Sequence, residues 1–214
     1  MTIVKVVSFR YQIGMNDNLQ TPDQIAELLV HVGRTARRED ARSALTAAQW
    51  TGLRFFARAN GSTRTPSGLA SFQATTRGTA SQTIKSLERM GLVTGTRSDR
   101  DRRSVSFDLT DRGRETLAHD PLRDLIDVID TLGTVERDRF LATLSQLAST
   151  LAIRRDLPAF GTCQDCSHYA QSGDTAYCAC MAAELAIEDI PKLCASYRPA
   201  PAAGKPKETR NGTA

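Results

Sequence analysis

The sequence predicts a mainly α chain with a small β hairpin (α+β), a winged helix-turn-helix followed by a small cysteine-rich module. Three observations carry this. Residues 65–90 read as two helices joined by a short, glycine-bearing turn. Residues 92–110 read as two strands around a charged tip, RSDRDRR. All five cysteines, Cys163, Cys166, Cys178, Cys180 and Cys194, fall in the last quarter of the 214 residues.

Taken in order, residues 1–20 read as a loose arm or short strand, in which Met15 offers an alternative start. Thr21-Pro22-Asp23 opens a helix with proline at its first position. Its apolar stripe is Ile25, Leu28, Leu29 and Val32, and polar residues 37–43 close it. Thr46 caps a second helix, with Gln49 three residues on as a capping-box partner. That helix turns Trp50, Leu53, Phe56 and Ala57 inward and ends at Asn60-Gly61. Thr65-Pro66 starts a short helix through Phe72, residues 74–78 form a polar turn, and a longer helix runs from Thr79 to Met90. Ile84 and Leu87 face its inner side, and Gly91 stops it.

Strands over 92–96 and 104–110 make a wing around residues 97–103, and a helix follows from Thr110 through Ala118. Asp120-Pro121 caps a helix carrying Leu122, Leu125, Ile126, Ile129 and Leu132, ended by Gly133. Thr134 caps another, through residue 152, carrying Phe140, Leu141, Leu144, Leu147 and Leu151. Both hold more Leu and Ile than a lone surface helix needs, so pairing across a two-fold axis is expected, alongside packing on their own core. The expected organisation is an arm over 1–20, a DNA-binding and dimerisation domain over 21–156, a cysteine module over 157–198 and a disordered tail over 199–214.

Forty per cent apolar residues suffice for a packed core. The net charge of +4 is a mild basic bias, compatible with nucleic acid. No run of about eighteen apolar residues exists, so no membrane partner is expected. The start, MTIVKVVSFRYQIGMNDN, lacks a long apolar run and a small-residue cleavage site, so no signal peptide is expected and a cytoplasmic location follows. In that reducing setting, clustered cysteines are metal ligands or redox groups rather than structural disulfides.

Charge sits where a wing and recognition helix need it. Residues 77–114 hold nine cations (Arg77, Lys85, Arg89, Arg97, Arg100, Arg102, Arg103, Arg112, Arg114) against five acids (Glu88, Asp99, Asp101, Asp108, Asp111). Cations against duplex phosphates release condensed counterions. Arg77, Thr79, Ser81, Gln82 and Thr83 lie at the start of the second helix of the pair. Glutamine pairs with adenine, and threonine methyls touch thymine methyls. Arg100 and Arg102 suit a narrow minor groove.

These residues, LTAAQWTGLRFFARANGSTRTPSGLASFQATTRGTASQTIKSLERMGLVTGTRSDRDRRSVSFDLTDRGRETL, resemble the MarR family of winged-helix transcriptional regulators, over about residues 22–152. Asp101-x-Arg103 followed by SVSFDLTDRG is similar to that family's wing signature. The resemblance implies a homodimer, built by the first and last helices, on a pseudo-palindromic operator of double-stranded DNA. It places DNA contacts within residues 79–86, including Lys85 and Ser86, with the wing arginine at Arg102 or Arg103. Asp101 is alternatively a partner of Arg103 or of a backbone group, shaping the wing rather than touching DNA. The resemblance also implies control by a small phenolic or lipophilic effector.

The cysteines are spaced Cys-x2-Cys, x11 to Cys178 and x15 to Cys194. Cys163, Cys166, Cys178 and Cys194 are the expected ligands, with Cys180 the alternative to Cys178. Four thiolates bind either an iron–sulfur cluster or tetrahedral Zn²⁺. The segment CQDCSHY…C…LCASY resembles the cluster-binding part of high-potential iron–sulfur proteins, over about 35 residues. That resemblance implies a 4Fe-4S cluster, screened by Tyr169, Tyr177 and Tyr197; zinc is the alternative. Leu185, Ile187, Ile190 and Leu193 would form a small apolar lid. His168 is an alternative ligand or an outer hydrogen-bond donor. A CxxC disulfide switch is a further alternative.

No GxSxG, HExxH, phosphate-binding loop or dinucleotide fingerprint is present, and His31, His119 and His168 lie in separate segments. No catalytic residue is expected; Glu184 and Glu188 read as exposed carboxylates. The leading expectation is a MarR-type regulator, a repressor, sensing redox state or iron through the cluster. The second is the same regulator with structural zinc and small-molecule control, and the third a redox or metal-handling enzyme.

Overall fold

A computed structural model describes residues 21–36, 45–97 and 105–200. The expected arm, the close of the first helix, most of the wing tip and most of the tail lie outside the described residues. The chain divides into two compact units, Met1–Arg38 and Glu39–Ala214.

In the first unit, α1 (Pro22–Ala36) is opened by Thr21, whose hydroxyl accepts from the Gln24 N–H while its own N–H donates to Gln24 Oε1. Its stripe of Ile25, Leu28, Leu29 and Val32 is exposed, and no α1 residue is buried.

The second unit opens with α2 (Ala47–Arg58), α3 (Pro66–Phe72) and α4 (Arg77–Arg89). Threonine starts each one: Thr46, Thr65 and Thr76 accept the backbone N–H three residues on, at 3.3, 3.0 and 3.2 Å. Thr46 completes its capping box by donating to Gln49 Oε1 at 2.8 Å. The cap at Thr76 corrects the expected start of α4. Arg77 and Gly78 belong to the helix rather than to the turn, because Thr76 adopts extended dihedrals and its hydroxyl satisfies the Thr79 amide. Leu53, Phe55, Phe56, Leu69, Ile84, Leu87, Leu92 and Phe107 fill the core. Phe55, absent from the expected apolar stripe of α2, is fully buried, in ring contact with Phe56 and Phe72 at 5.3 and 5.2 Å.

β1 (Val93–Arg97) and β2 (Val105–Leu109) pair antiparallel, from Val93↔Leu109 to Arg97↔Val105. Thr110 caps α5 (Asp111–Ala118) and its hydroxyl also donates to Gly91 O at 2.6 Å, tying the strand exit to the end of α4. Arg54 of α2 forks onto Asp120 after α5, Nε to Oδ2 at 2.6 Å and Nη2 to Oδ1 at 2.5 Å. Asp120 also accepts the Leu122 N–H at 2.8 Å, ahead of α6 (Arg123–Asp130). The last long helix, α7 (Thr134–Arg154), is capped by Gly133 in extended conformation with no side-chain bond, so the expected Thr134 cap is corrected: Thr134 is its first residue. Neither α6 nor α7 buries a single residue, and Ile126, Val128, Val135, Phe140, Leu141, Leu147 and Leu151 are exposed.

The cysteine segment folds as a meander of β3 (Tyr169–Ser172), β4 (Thr175–Cys178) and β5 (Ala183–Leu185), flanked by single 3-10 turns at Cys163–Asp165 and Ile187–Asp189. Phe160 anchors it by an edge-on ring contact with Phe72 at 5.2 Å.

Candidate nucleic-acid interface and cysteine centre

Position along α4 divides its residues between two faces. Ala80, Ile84 and Leu87 are buried. Thr83 and Leu87 pack against α2 at Gly52. Ser86 accepts from Gln49 Nε2 at 2.9 Å, so this expected DNA contact is engaged within the fold. Thr79 shares a 2.9 Å hydroxyl bond with Thr76 and is exposed, as are Arg77, Gln82, Lys85 and Arg89; Ser81 is half-buried. Gln82, Lys85 and Arg89, spaced three and four apart, form one outward stripe; Arg77 is exposed at the start of the helix, to one side of that stripe. Among the α4 residues on this surface the charges are three cations against Glu88.

The wing stands beside this stripe. Arg97 is exposed at the end of β1, while Arg100, Arg102, Arg103 and Asp101 lie outside the described residues. Arg114 donates to Leu109 O and pairs with Asp111, and Arg64 pairs with Asp108 on β2. These two arginines brace the wing base. The Phe107 N–H donates to Arg64 O at 2.8 Å, so β2 is also held by the α2–α3 turn.

At the other end, Cys163, Cys178 and Cys194 are buried, Cys166 is half-buried and Cys180 is exposed. Cys178 and Ala176 share the inward face of β4. Cys180 falls in the turn beyond the strand. Cys166 N–H donates to Cys163 O at 3.0 Å, and Tyr197 N–H to Cys194 O at 3.4 Å, so the Cys163–Cys166 pair and Cys194 each sit on a tight turn, while Cys178 is on β4. Burial, then the neighbouring Cys194, Cys178, Cys166 and Asp189, pushes the Cys163 thiol up to about 11. Cys194, Cys178 and Cys166 thus lie within electrostatic reach of Cys163. Among the described residues no three His, Cys, Asp or Glu side chains are gathered at the spacing of a metal-ion site.

The surrounding shell differs from expectation at two places. Tyr177 is exposed, because the strand pleat turns it away from Ala176 and Cys178; Tyr169 and Tyr197 are half-buried. Ile187 is 78% exposed on its 3-10 turn, which leaves Leu185, Ile190 and Leu193 as the half-buried part of the lid. Burial pushes the Tyr197 hydroxyl up, as does Asp165, while a hydrogen bond with Ser149 of α7 acts the other way.

Sequence reasoning missed how this module seats. Leu193 N–H donates to Arg58 O at 2.8 Å and Leu193 O accepts from the Asn60 N–H at 2.9 Å. Ala195 N–H donates to Thr63 Oγ1 at 2.9 Å. Buried Asn60 and Thr63 in the polar stretch NGST were the only trace of it in the sequence.

A cavity of about 450 Å³ lies between α2, β2 and α5, lined by Phe56, Leu109 and Leu117 with Arg64, Arg114 and Asp108. No described helix is long and apolar enough to cross a membrane.

Residues 45–104 match the family model described as MarR family. Among solved structures, a mutant MepR from a multidrug-resistant S. aureus clinical isolate is similar at a TM-score of 0.50 and 19% identity, over 62% of this chain and 99% of that one. Streptococcus pneumoniae FabT, solved in complex with DNA, gives 0.44 and 22% over 60% and 91%. Bordetella bronchiseptica BpsR, whose DNA binding is regulated by 6-hydroxynicotinic acid, gives 0.43 and 22% over 58% and 98%. No curated protein matches the chain. Over residues 45–104 the chain is thus similar to the MarR family, and its described elements there and just beyond are three helices followed by a two-stranded wing.

Proposed function

We propose that this protein is a DNA-binding transcriptional regulator of the MarR type, a repressor, acting as a homodimer on a pseudo-palindromic operator. The observation that carries the reading is the outward stripe of Gln82, Lys85 and Arg89, with Arg77 exposed at the helix start, next to a two-stranded wing. A helix with this surface fits the major groove, and a wing beside it reaches the adjacent backbone. Dimerisation is supported by α1, α6 and α7, which bury no residue yet expose apolar side chains along their length. Such faces call for a partner, and a two-fold axis supplies the same surface twice. Selection of duplexes from a random pool is expected to return a two-fold-related motif. No enrichment at low salt rejects the reading.

The regulating signal, in this reading, is redox state or iron, sensed through a 4Fe-4S cluster on Cys163, Cys166, Cys178 and Cys194. What supports it is the burial of Cys163, Cys178 and Cys194, with Cys166 half-buried, in one small module of the chain. Zinc would need its sulfurs about 3.8 Å apart, given Zn–S bonds of about 2.3 Å. When bound, a cluster supplies reversible electron transfer and sensitivity to oxygen. Anaerobically purified protein is expected to be brown and to carry about four irons per chain. A colourless protein with one zinc rejects the sensing half.

The cavity between α2, β2 and α5 favours a second reading, in which zinc is structural and a small effector controls DNA binding. Its apolar walls suit a phenolic or lipophilic molecule, and Arg64 and Arg114 suit an acidic group on it. Serine at Cys163 would then abolish zinc binding but leave effector-controlled DNA release intact.

A further inference from the structure

We propose that Gln49 is a positioning residue for base reading. Its side chain fixes the rotation of α4 about its own axis and so aims Gln82 at one base pair. The inference rests on the reading of α4 as the helix that enters the major groove. Gln49 is the third residue of α2, and its amide serves two bonds. Oε1 accepts the Thr46 N–H at 2.8 Å, which completes the cap of α2. Nε2 donates to Ser86 Oγ at 2.9 Å, in the C-terminal half of α4. The amide is planar, so holding its oxygen at the cap also aims its nitrogen.

Apolar packing leaves the rotation of α4 underdetermined. Its buried residues are Ala80, Ile84 and Leu87. A methyl added at Gly52 of α2 would stand 3.2 Å from Leu87 and 3.4 Å from Thr83, so the two helices press closely together there. Such contact sets their separation but has no direction of its own. The Gln49–Ser86 bond has one. At about 100° per residue, Ser86 lies on the flank between the buried face and the outward stripe of Gln82, Lys85 and Arg89. A directional bond on that flank opposes roll. Gln73 adds a second tie, donating to Ala48 O at 3.0 Å, so the turn leading into α4 hangs from the same first turn of α2.

Magnitudes decide what a roll would cost. Side-chain ends ride about 5–6 Å from a helix axis, so a roll of about 20° moves them about 2 Å. A base hydrogen bond holds only within roughly 2.7–3.2 Å and does not survive that shift. Phosphate attraction from Lys85 and Arg89 does, because charge acts over a Debye length of about 8 Å. Freeing the rotation of α4 therefore removes discrimination between bases and leaves the sequence-independent affinity in place.

The test uses the full chain as wild type, Gln49→Ala, Ser86→Ala, their double variant, Gln49→Glu, Thr46→Ala and Gln82→Ala. Each is bound, at one salt concentration, to the duplex selected from a random pool, to its single-base-pair variants and to an unrelated duplex. The position at which Gln82→Ala loses discrimination marks the base pair it reads. There, Gln49→Ala and Ser86→Ala are each expected to lower the ratio of selected to substituted affinity at least ~5-fold, the low end of one base contact. Affinity for the unrelated duplex is expected to stay within ~2-fold, its phosphate contacts being kept. The double variant is expected to lose no more than either single one. Gln49→Glu keeps one oxygen for the Thr46 N–H and another to accept from the Ser86 hydroxyl, and is expected to restore the ratio. Thr46→Ala weakens the cap of α2 but spares the Ser86 bond. It is expected to lower stability without moving the ratio, since a smaller folded fraction weakens every duplex alike. Should Gln49→Ala fold poorly, Ser86→Ala breaks the same bond from the other side with a better helix former. An unchanged ratio in Ser86→Ala, an equal loss in Thr46→Ala, or a Gln82→Ala that loses discrimination nowhere overturns this inference alone. A pool that yields no selected duplex overturns the reading of α4 and this inference with it.

Discussion

The buried hydroxyl of Thr63 accepts the backbone N–H of Ala195 at 2.9 Å, across 132 residues of sequence. With the Leu193 bonds to Arg58 and Asn60, this makes the C-terminal segment part of the winged helix's own packing. Truncation after residue 156 strips the partners of these groups and uncovers Ala59 and Phe72. Three lost bonds at about 1 kcal/mol each predict a loss of roughly 3 kcal/mol. Thermal unfolding of the truncated and full chains measures it, and equal melting temperatures would contradict the seating described above.

The two neighbouring cysteines separate cleanly. Cys178 is buried on the inward face of β4, and Cys180 is exposed in the turn after it. Cys180→Ser is expected to keep the metal content of the wild type, and Cys178→Ser to lose most of it. Elemental analysis of both variants checks this; equal contents count against the ligand set.

The Arg54–Asp120 fork gives a pH signature. Burial raises the Asp120 carboxyl, but the Arg54 hydrogen bonds, the Leu122 N–H and the charges of Arg54 and Arg58 outweigh it, holding the group below its ordinary 3.8. A carboxyl lowered on folding contributes stability above its unfolded value and loses it as pH falls through the folded one. Asp120→Asn is therefore expected to cost about 1–3 kcal/mol at pH 7, leaving a largely buried guanidinium without its counter-charge. The gap between variant and wild type narrows below pH 3.8. Denaturant midpoints measured across acid pH test it; a gap constant with pH contradicts the ion pair's role.

Gly161 tests the fit of the module more locally. A methyl there would stand 2.5 Å from the Tyr197 ring, on the residue whose carbonyl holds Cys194. Gly161→Ala is expected to cost about 1–3 kcal/mol through overpacking and to weaken metal retention. Retention against a competing chelator provides the readout, and wild-type retention contradicts the contact.

What the sequence revealed and what it hid divide along physical lines. Thr46, Thr65 and Thr110 were legible because a hydroxyl ahead of a helix has one dominant use, accepting an orphan amide. Thr76 does the same, but Gly78 two residues on reads as turn, which hid the first two residues of α4. The wing was legible from alternation in SVSFDLT. The β3–β4–β5 meander was not, since strands of three or four residues are too short to establish a period. Nor was the seating of Leu193 and Ala195, whose contacts are made by backbone groups that any residue possesses. Of the residues expected to contact DNA, Gln82 and Lys85 are exposed, whereas Ser86 is engaged by Gln49, thirty-seven positions away, a contact that local spacing does not reveal.

The salt dependence of affinity for the selected duplex tests the central claim most directly. With about six phosphate contacts from a dimer, the logarithm of the binding constant should fall against the logarithm of salt with a slope near −5. Lys85→Ala should flatten that slope by about one to two, a phosphate contact being lost once in each protomer. A monomeric protein with no duplex affinity at low ionic strength, or a slope near zero, would contradict the account.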